Sequence, residues 1–212
     1  MRTWAIVVAA GRGSRFGAAK QFAQLGGRTV LDHAVDVAHD ACDGVVVVIA
    51  ADRAWTPPAG VRRADGGATR SDSVRAGLAV VPDDTDVIVV HDAARPLASR
   101  RLFDLVVQAV TDGADGAVPA LAVTDTVKRV EGNRVVETVS RDGLVVVQTP
   151  QAFRADRLRT AHRSGRVDTD DAALVEAGGG VVVVVDGEAR NLKLTVADDL
   201  DLVQALLDRT CT

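Results

Sequence analysis

Short apolar runs rich in β-branched residues recur along the chain, at 4–9, 44–50, 86–91, 117–121 and 181–185. They are apolar nearly throughout, the mark of strands covered on both faces, because neither set of side chains meets water. The segments between them carry apolar residues at helical spacing instead. Leu31, Ala34, Val35 and Ala38 share one helix face, and so do Leu102, Leu105, Val106 and Ala109. Ser71, Ser99 and Asp198 stand where helices would begin, with oxygens able to accept the unpaired N–H groups of a first turn. Alternating strands and helices predict right-handed crossovers and an α/β fold, a mostly parallel sheet with helices on both faces.

One region breaks the alternation. Between Thr124 and Gln148 two β-rich stretches flank Glu131-Gly132-Asn133, whose Gly and Asn tolerate positive φ. This predicts a β-arm over about 123–148, inserted into a single domain spanning 1–212. A lone hairpin leaves Val135, Val136 and Val139 unburied, so the arm is expected to need a partner and to make a homodimer. No repeat, low-complexity tract or Pro-rich linker divides the chain, and Thr56-Pro57-Pro58 reads as a local rigid turn.

Composition narrows the partners. The net charge of −4 over 212 residues argues against a nucleic-acid coat or a polybasic membrane patch, which need a basic face. The longest apolar runs, at 44–51 and 181–185, fall well short of the ~18–20 residues that span a bilayer. Met1-Arg2 before an apolar stretch imitates a signal peptide, but a cation-bearing glycine loop follows at once, so a cytoplasmic protein is expected. Cys42 and Cys211 have neither metal-site nor disulfide-scaffold spacing and read as inert thiols. Of 25 cations only Lys20, Lys128 and Lys193 are lysines.

The candidate chemistry begins where the first strand ends. Residues 9–20 form a loop of small residues whose consecutive N–H groups can nest an anion, at the sheet edge where α/β folds bind ligands. Its G-x-G-x-x-x-G spacing is one residue off the dinucleotide fingerprint, and it is no Walker loop. Arg12, Arg15 and Lys20 add side-chain cations, as expected for a triphosphate that reacts at its α-phosphorus. Asp92 ends an apolar strand in His91-Asp92-Ala93-Ala94-Arg95-Pro96. It could hold Mg²⁺, or pair with Arg95 to cap a turn. His91 reads as a packed strand-end histidine. Residues 66–74 form a glycine turn entering a helix, either a second anion or base site or a plain capping loop. Lys193 follows the 181–185 strand and could reach a phosphate or simply be solvated.

Taken in order, these segments resemble the 2-C-methyl-D-erythritol 4-phosphate cytidylyltransferase family of the non-mevalonate isoprenoid route. The resemblance spans nearly the whole chain. It rests on A-A-G-x-G-x-R at 9–15, K-Q-F at 20–22, G-G-x-x-R-x-x-S-V at 66–74 and H-D-A-A-R-P at 91–96. D-T-V-K at 125–128, R-x-G-L at 141–144, Q-T-P-Q at 148–151, T-D-D-A at 169–172 and N-L-K-L-T at 191–195 complete it.

The resemblance implies a Rossmann-like sheet of the nucleotide-diphospho-sugar transferase type, and transfer of CMP from CTP to methylerythritol 4-phosphate with release of pyrophosphate. It implies Mg²⁺ or another divalent cation, with Asp92 as the metal-side carboxylate. Arg15 and Lys20 would stabilise the pentavalent α-phosphorus, with Lys193 contacting phosphate near the reaction centre. Ala9, Ala10, Gly11, Gly67 and Ser73 would take cytidine, and Gly13 and Arg70 complete the nucleotide side. Thr126, Arg141 and Thr169 match positions that hold the polyol phosphate, the first two reaching from the partner's arm, and Arg95 matches a further substrate-side arginine. Two departures stand out: Val8 replaces a proline often found before A-A-G, and Ala68 stands where some members carry an acidic residue near the base. A cytidylyltransferase for another polyol phosphate such as ribitol 5-phosphate, and a non-catalytic nucleotide-binding module, are the alternatives. A dinucleotide oxidoreductase is disfavoured by the loop.

Overall fold

The computed structural model describes residues 1–11, 13, 16 and 19–209. Strand β1 (Thr3–Ala9) leads through a 3-10 turn at Lys20–Phe22 to the short strands β2 (Gln24–Leu25) and β3 (Arg28–Thr29) and to helix α1 (Val30–Ala41). Then come β4 (Gly44–Ile49), β5 (Val61–Asp65), α2 (Arg70–Leu78), β6 (Val87–Asp92), α3 (Arg100–Thr111) and β7 (Gly116–Ala122). A hairpin of β8 (Val127–Glu131) and β9 (Arg134–Val139) follows, then β10 (Val145–Val147), β11 (Gln151–Arg154), α4 (Ala155–Arg163), α5 (Asp171–Ala177), β12 (Val182–Asp186) and α6 (Asp199–Asp208).

The sheet is mostly parallel where the chemistry lies. β5, β4, β1 and β6 run side by side in the same direction, with Val8 beside Asp92, Ala9 beside Ile49 and Ile49 beside Asp65. The carboxyl ends of four strands therefore share one edge, the place where ligands bind in open α/β sheets. Beyond β6 the sheet turns antiparallel through β11 to β7, and β12 pairs parallel to β7 at the far side. β10 lies along β7 on the same side as β11, and the register slips between them at Gln148-Thr149-Pro150.

The apolar runs explain the layers. Every residue of β4 and β6 is buried. Ala5, Val7, Val45, Val47 and Val89 face α1 and α3, while Ile6, Val46, Val48, Ile88 and Val90 face α2 and α4. The expected face of α1 is the observed one: Leu31, Ala34, Val35 and Ala38 are all buried. The face of α3 is rotated. Leu102 and Val106 are buried as expected, but with Phe103 and Val110, while Leu105 and Ala109 lie at the margin. The helix is apolar on both arcs, and the sheet takes the one whose phenylalanine packs tilted against His91, ring centroids 5.2 Å apart.

Of the expected caps, Ser99 accepts from Leu102 N–H as α3 begins. Ser71 is inside its helix; Thr69 caps α2 instead, because Asp72 three residues on returns a bond to the Thr69 N–H and closes a capping box. Asp198 occupies the cap position of α6 without a side-chain bond, and Asp199 accepts from the N–H groups of Thr195 and Val196.

The inserted hairpin forms a two-stranded sheet of its own, turning at Gly132 with φ of +60°. Val130 and Val135 are 56% and 54% exposed on it, whereas β10 has rejoined the main sheet. Burial pushes the Cys42 thiol up to about 12, as fits an inert side chain. Cys211 lies outside the described residues. No helix among them is long and apolar enough to cross a membrane.

Candidate active site

The shared carboxyl edge opens into a cleft of about 720 Å³. Its floor is the loop after β1, and a neighbouring side chain fixes that loop: Gln21 donates from Nε2 to the carbonyls of Ala9 at 2.8 Å and Gly11 at 3.2 Å. Against it packs the 66–67 turn, held by a bond from the Gly66 N–H to the Ile49 carbonyl. A Cβ on Gly66 would lie 2.2 Å from the Ala10 Cβ, so the two ligand loops touch only because residue 66 has no side chain. Behind this turn the first turn of α2 carries Arg70 and Ser73; the Ser73 hydroxyl donates to the Thr69 carbonyl at 3.0 Å.

Asp92 terminates β6 at the centre of the cleft. Lys193 donates to its Oδ2 at 2.6 Å and Arg70 Nε to its Oδ1 at 3.3 Å. Burial alone would raise its pKa, but the two cations outweigh burial and hold the carboxyl well below the usual carboxylate range. Asp92 pairs with these two cations and not with Arg95, whose side chain turns away to donate to the Asn191 carbonyl at 2.7 Å. Arg70 also donates from Nη1 to Asp171 at 2.7 Å.

The backbone under Asp92 is tied down by a relay. The Asp92 N–H donates to Thr149 Oγ1 at 3.0 Å, the Thr149 hydroxyl donates to His91 Nδ1 at 3.2 Å, and His91 Nε2 donates to the Arg95 carbonyl at 3.2 Å. Burial pushes the His91 imidazole down to about 4, so it is a neutral structural link at pH 7. The expected packed histidine is what the structure shows.

Lys193 is presented by a loop that is itself anchored. Asn191 is fully buried, donating to the Thr149 carbonyl at 2.9 Å and accepting from Arg95. Gln148 donates to the Glu188 carbonyl at 2.9 Å, and the Leu194 N–H donates to the Ala94 carbonyl at 2.8 Å. Lys20, from the far end of the glycine loop, donates to the Leu194 carbonyl. Two of the three lysines thus meet at adjacent residues of one strap, although 173 positions separate them in the chain.

Ala9, Ala10, Gly11, Gly13, Lys20, Gly67, Arg70, Ser73, Asp92 and Lys193 all line the cleft. Arg15 lies outside the described residues. Arg95 is not among the residues that line the cleft. Thr126 and Arg141 are exposed at the base of the arm, where Arg141 donates to the Thr124 carbonyl, and Thr169 is exposed just before α5. Gln21, Thr149, Asp171 and Asn191 hold the site together, yet the sequence offers them only as members of K-Q-F, Q-T-P-Q, T-D-D-A and N-L-K-L-T. Their partners are backbone groups and distant side chains that no local spacing specifies.

The donor set bears on a metal. Among the described residues no group of three or more His, Cys, Asp or Glu side chains converges to form a cage. One ionised carboxylate at the centre of this open cleft fits Mg²⁺, which takes one or two carboxylates and fills its remaining positions with phosphate oxygens and water.

The family model described as "IspD: 2-C-methyl-D-erythritol 4-phosphate cytidylyltransferase" matches residues 3–209. A bifunctional enzyme IspD/IspF from Rhodospirillum rubrum is 44% identical over 216 residues, covering 95% of this chain and 56% of its own length. One from Nitrobacter winogradskyi is 44% identical over 228 residues, covering 97% and 56%. The chain therefore spans little more than half the length of these relatives. The crystal structure of 2-C-methyl-D-erythritol 4-phosphate cytidylyltransferase from Thermus thermophilus superposes with a TM-score of 0.86 at 37% identity, covering 98% of this chain and 100% of that one.

Proposed function

The chain belongs to the 2-C-methyl-D-erythritol 4-phosphate cytidylyltransferase family, and from that premise we propose that it transfers CMP from CTP to 2-C-methyl-D-erythritol 4-phosphate. A phosphate oxygen of the polyol phosphate attacks the α-phosphorus of CTP. A new phosphoanhydride bond forms, the bond to the β-phosphate oxygen breaks, and pyrophosphate leaves with that electron pair. The nucleophile is a phosphate monoester whose second pKa is near 6, so it arrives already ionised and needs no general base. The barrier is the approach of two anions, and fixed cations are the remedy.

One observation supports this reading above the others. Lys20 and Lys193 converge from opposite ends of the chain on the strap beside Asp92, in a protein whose only other lysine is Lys128. A compact ammonium and a planar guanidinium are not interchangeable beside a reacting phosphate. Lys20, with Arg15 from the same loop, would stabilise the charge that builds on the α-phosphoryl oxygens. Lys193 is paired with Asp92 and would transfer its charge to phosphate when the nucleotide enters. The Gly11 and Gly13 loop and the 66–67 turn would take the nucleotide, with the base read largely by backbone groups because Ala68 offers no polar side chain. Asp92 would hold Mg²⁺ together with nucleotide oxygens, and the ion would neutralise phosphate charge.

The proposal includes a cytoplasmic homodimer. Each arm, with Val130 and Val135 exposed and unable to bury themselves on a hairpin, would cross to the other subunit and bring Thr126 and Arg141 to the polyol phosphate beside Thr169 and Arg95. The test is pyrophosphate release from CTP against a panel of polyol phosphates, with 2-C-methyl-D-erythritol 4-phosphate expected to be turned over fastest. Faster release with ribitol 5-phosphate would reassign the substrate, and no release with any of them would overturn the enzyme.

A further inference from the structure

Arg70 is the first residue of α2, yet its side chain ties together two other elements. Nε donates to Asp92 at the end of β6, and Nη1 donates to Asp171 Oδ2 at the start of α5. Asp171 is 0% exposed, and its other oxygen, Oδ1, accepts from His162 Nε2 of α4 at 2.9 Å. His162 is itself 3% exposed, and its Nδ1 has no hydrogen-bond partner among the described residues. Neither Asp171 nor His162 lines the cleft, and neither has a part in the chemistry described above.

A carboxylate with no exposure is tolerated only when both oxygens are bonded and its charge is paired. Both conditions are met: Arg70, a cleft residue, pairs the charge and bonds Oδ2, and His162 bonds Oδ1. The two bonds of Arg70 differ in length, 2.7 Å to Asp171 against 3.3 Å to Asp92. Its guanidinium is therefore held chiefly from behind. With Asp92 as its sole acidic partner it would close into the two-pronged contact that arginine favours with carboxylates. It would then compete with Lys193 for the same group. Held by Asp171, it keeps Nη2 without an acceptor among the described residues while its side chain lines the cleft.

We propose that Asp171, braced by His162, is a positioning residue that fixes Arg70 on the cleft wall so that its guanidinium meets an anionic oxygen of the bound nucleotide. The inference rests on the reading of this cleft as the CTP site.

The test is calorimetric titration of CTP with Mg²⁺ into the wild-type protein, Asp171→Asn, Arg70→Ala and the double variant, with thermal unfolding as the check on folding. Each single substitution is expected to weaken binding about tenfold, and the double variant should be no weaker than Arg70→Ala alone, because both remove one interaction. In turnover the KM for CTP should rise while that for the polyol phosphate moves less than about twofold. Wild-type affinity in Asp171→Asn, additive losses in the double variant, or a rise confined to the polyol-phosphate KM would each overturn the proposal. If Asp171→Asn does not fold, His162→Gln keeps the Asp171 charge and an amide donor toward it. A roughly threefold weaker affinity is then expected from the loosened brace, and an unchanged one overturns the proposal. Wild-type protein that binds no CTP would overturn the reading of the cleft itself, a result distinct from a cleft that binds CTP equally well without Asp171.

Discussion

In the cleft, Asp92, Arg70, Lys193 and Lys20 are each bonded to a different element of the same chain. Along the arm, Arg129 pairs with Glu137 and Lys128 donates to Thr138 directly across the hairpin, with solvent around them. The cleft thus arranges its cations by long-range, half-buried contacts. The arm is shaped by its own turn and ladder, but it leaves Val130, Val135, Thr126 and Arg141 facing outward. Charge held in a low-dielectric setting is strong and oriented, whereas exposed pairs contribute little. On the proposed reading, chemistry belongs to the first region and recognition by a second surface to the other.

That contrast can be broken most sharply at Lys20. Lys20→Ala should lower kcat by about 10²–10³-fold, the usual loss for one charge-stabilising donor, with circular dichroism unchanged. Near-normal turnover would place Lys20 among the solvated lysines and remove the chemical distinction between cleft and arm.

The second test uses pH. Free histidine titrates near 6.5, while burial pushes His91 down to about 4. Between those values the unfolded chain binds the extra proton, so stability should fall as pH drops from about 6.5 toward 4, by up to a few kcal/mol. Urea unfolding across that range should show the slope, and His91→Gln should flatten it. By contrast Arg129→Ala on the arm should shift stability by less than about 1 kcal/mol. A slope that survives in His91→Gln would show that the cleft floor is not the pH-sensitive part.

A smaller change than the loss at Lys20 sharpens the role of the arm. Arg141→Ala should raise the KM for the polyol phosphate about tenfold, the loss expected for a charge-assisted contact, and leave the KM for CTP within error in steady-state assays. A rise in the CTP value instead would relocate Arg141 to the nucleotide side.

The strands were the most legible part of the fold in the sequence, because a run such as 44–49 has only one low-energy use, burial on both faces. The hairpin was legible for a local reason too, since Gly132 marks its turn. The face of α3 was less so: two overlapping apolar arcs satisfy helical spacing equally, and only the position of His91 and the sheet selects Phe103 over Leu105. Ser71 lost the cap of α2 to Thr69 because a capping box depends on a reciprocal bond three residues away. In the site, Asp92, Lys20 and Lys193 could be singled out because charged residues at strand ends and in glycine loops are conspicuous. Asp171 and Asn191 could not, since their importance lies entirely in what they touch.

The sequence by itself determined the alternation of elements, the edge on which a ligand site would open and the residue types available for binding an anion. These follow from short-range rules: burial periodicity, turn chemistry and the steric demands of glycine loops. Only the tertiary structure decided that Lys20 and Lys193 share one strap, that Asp92 is paired with Arg70 and Lys193 rather than Arg95, and that a buried aspartate stands behind Arg70. Those are contacts between residues 101 or more positions apart, apart from the 22 that separate Arg70 and Asp92. Chain closure over such distances is set by the packing of whole layers, which no local pattern encodes.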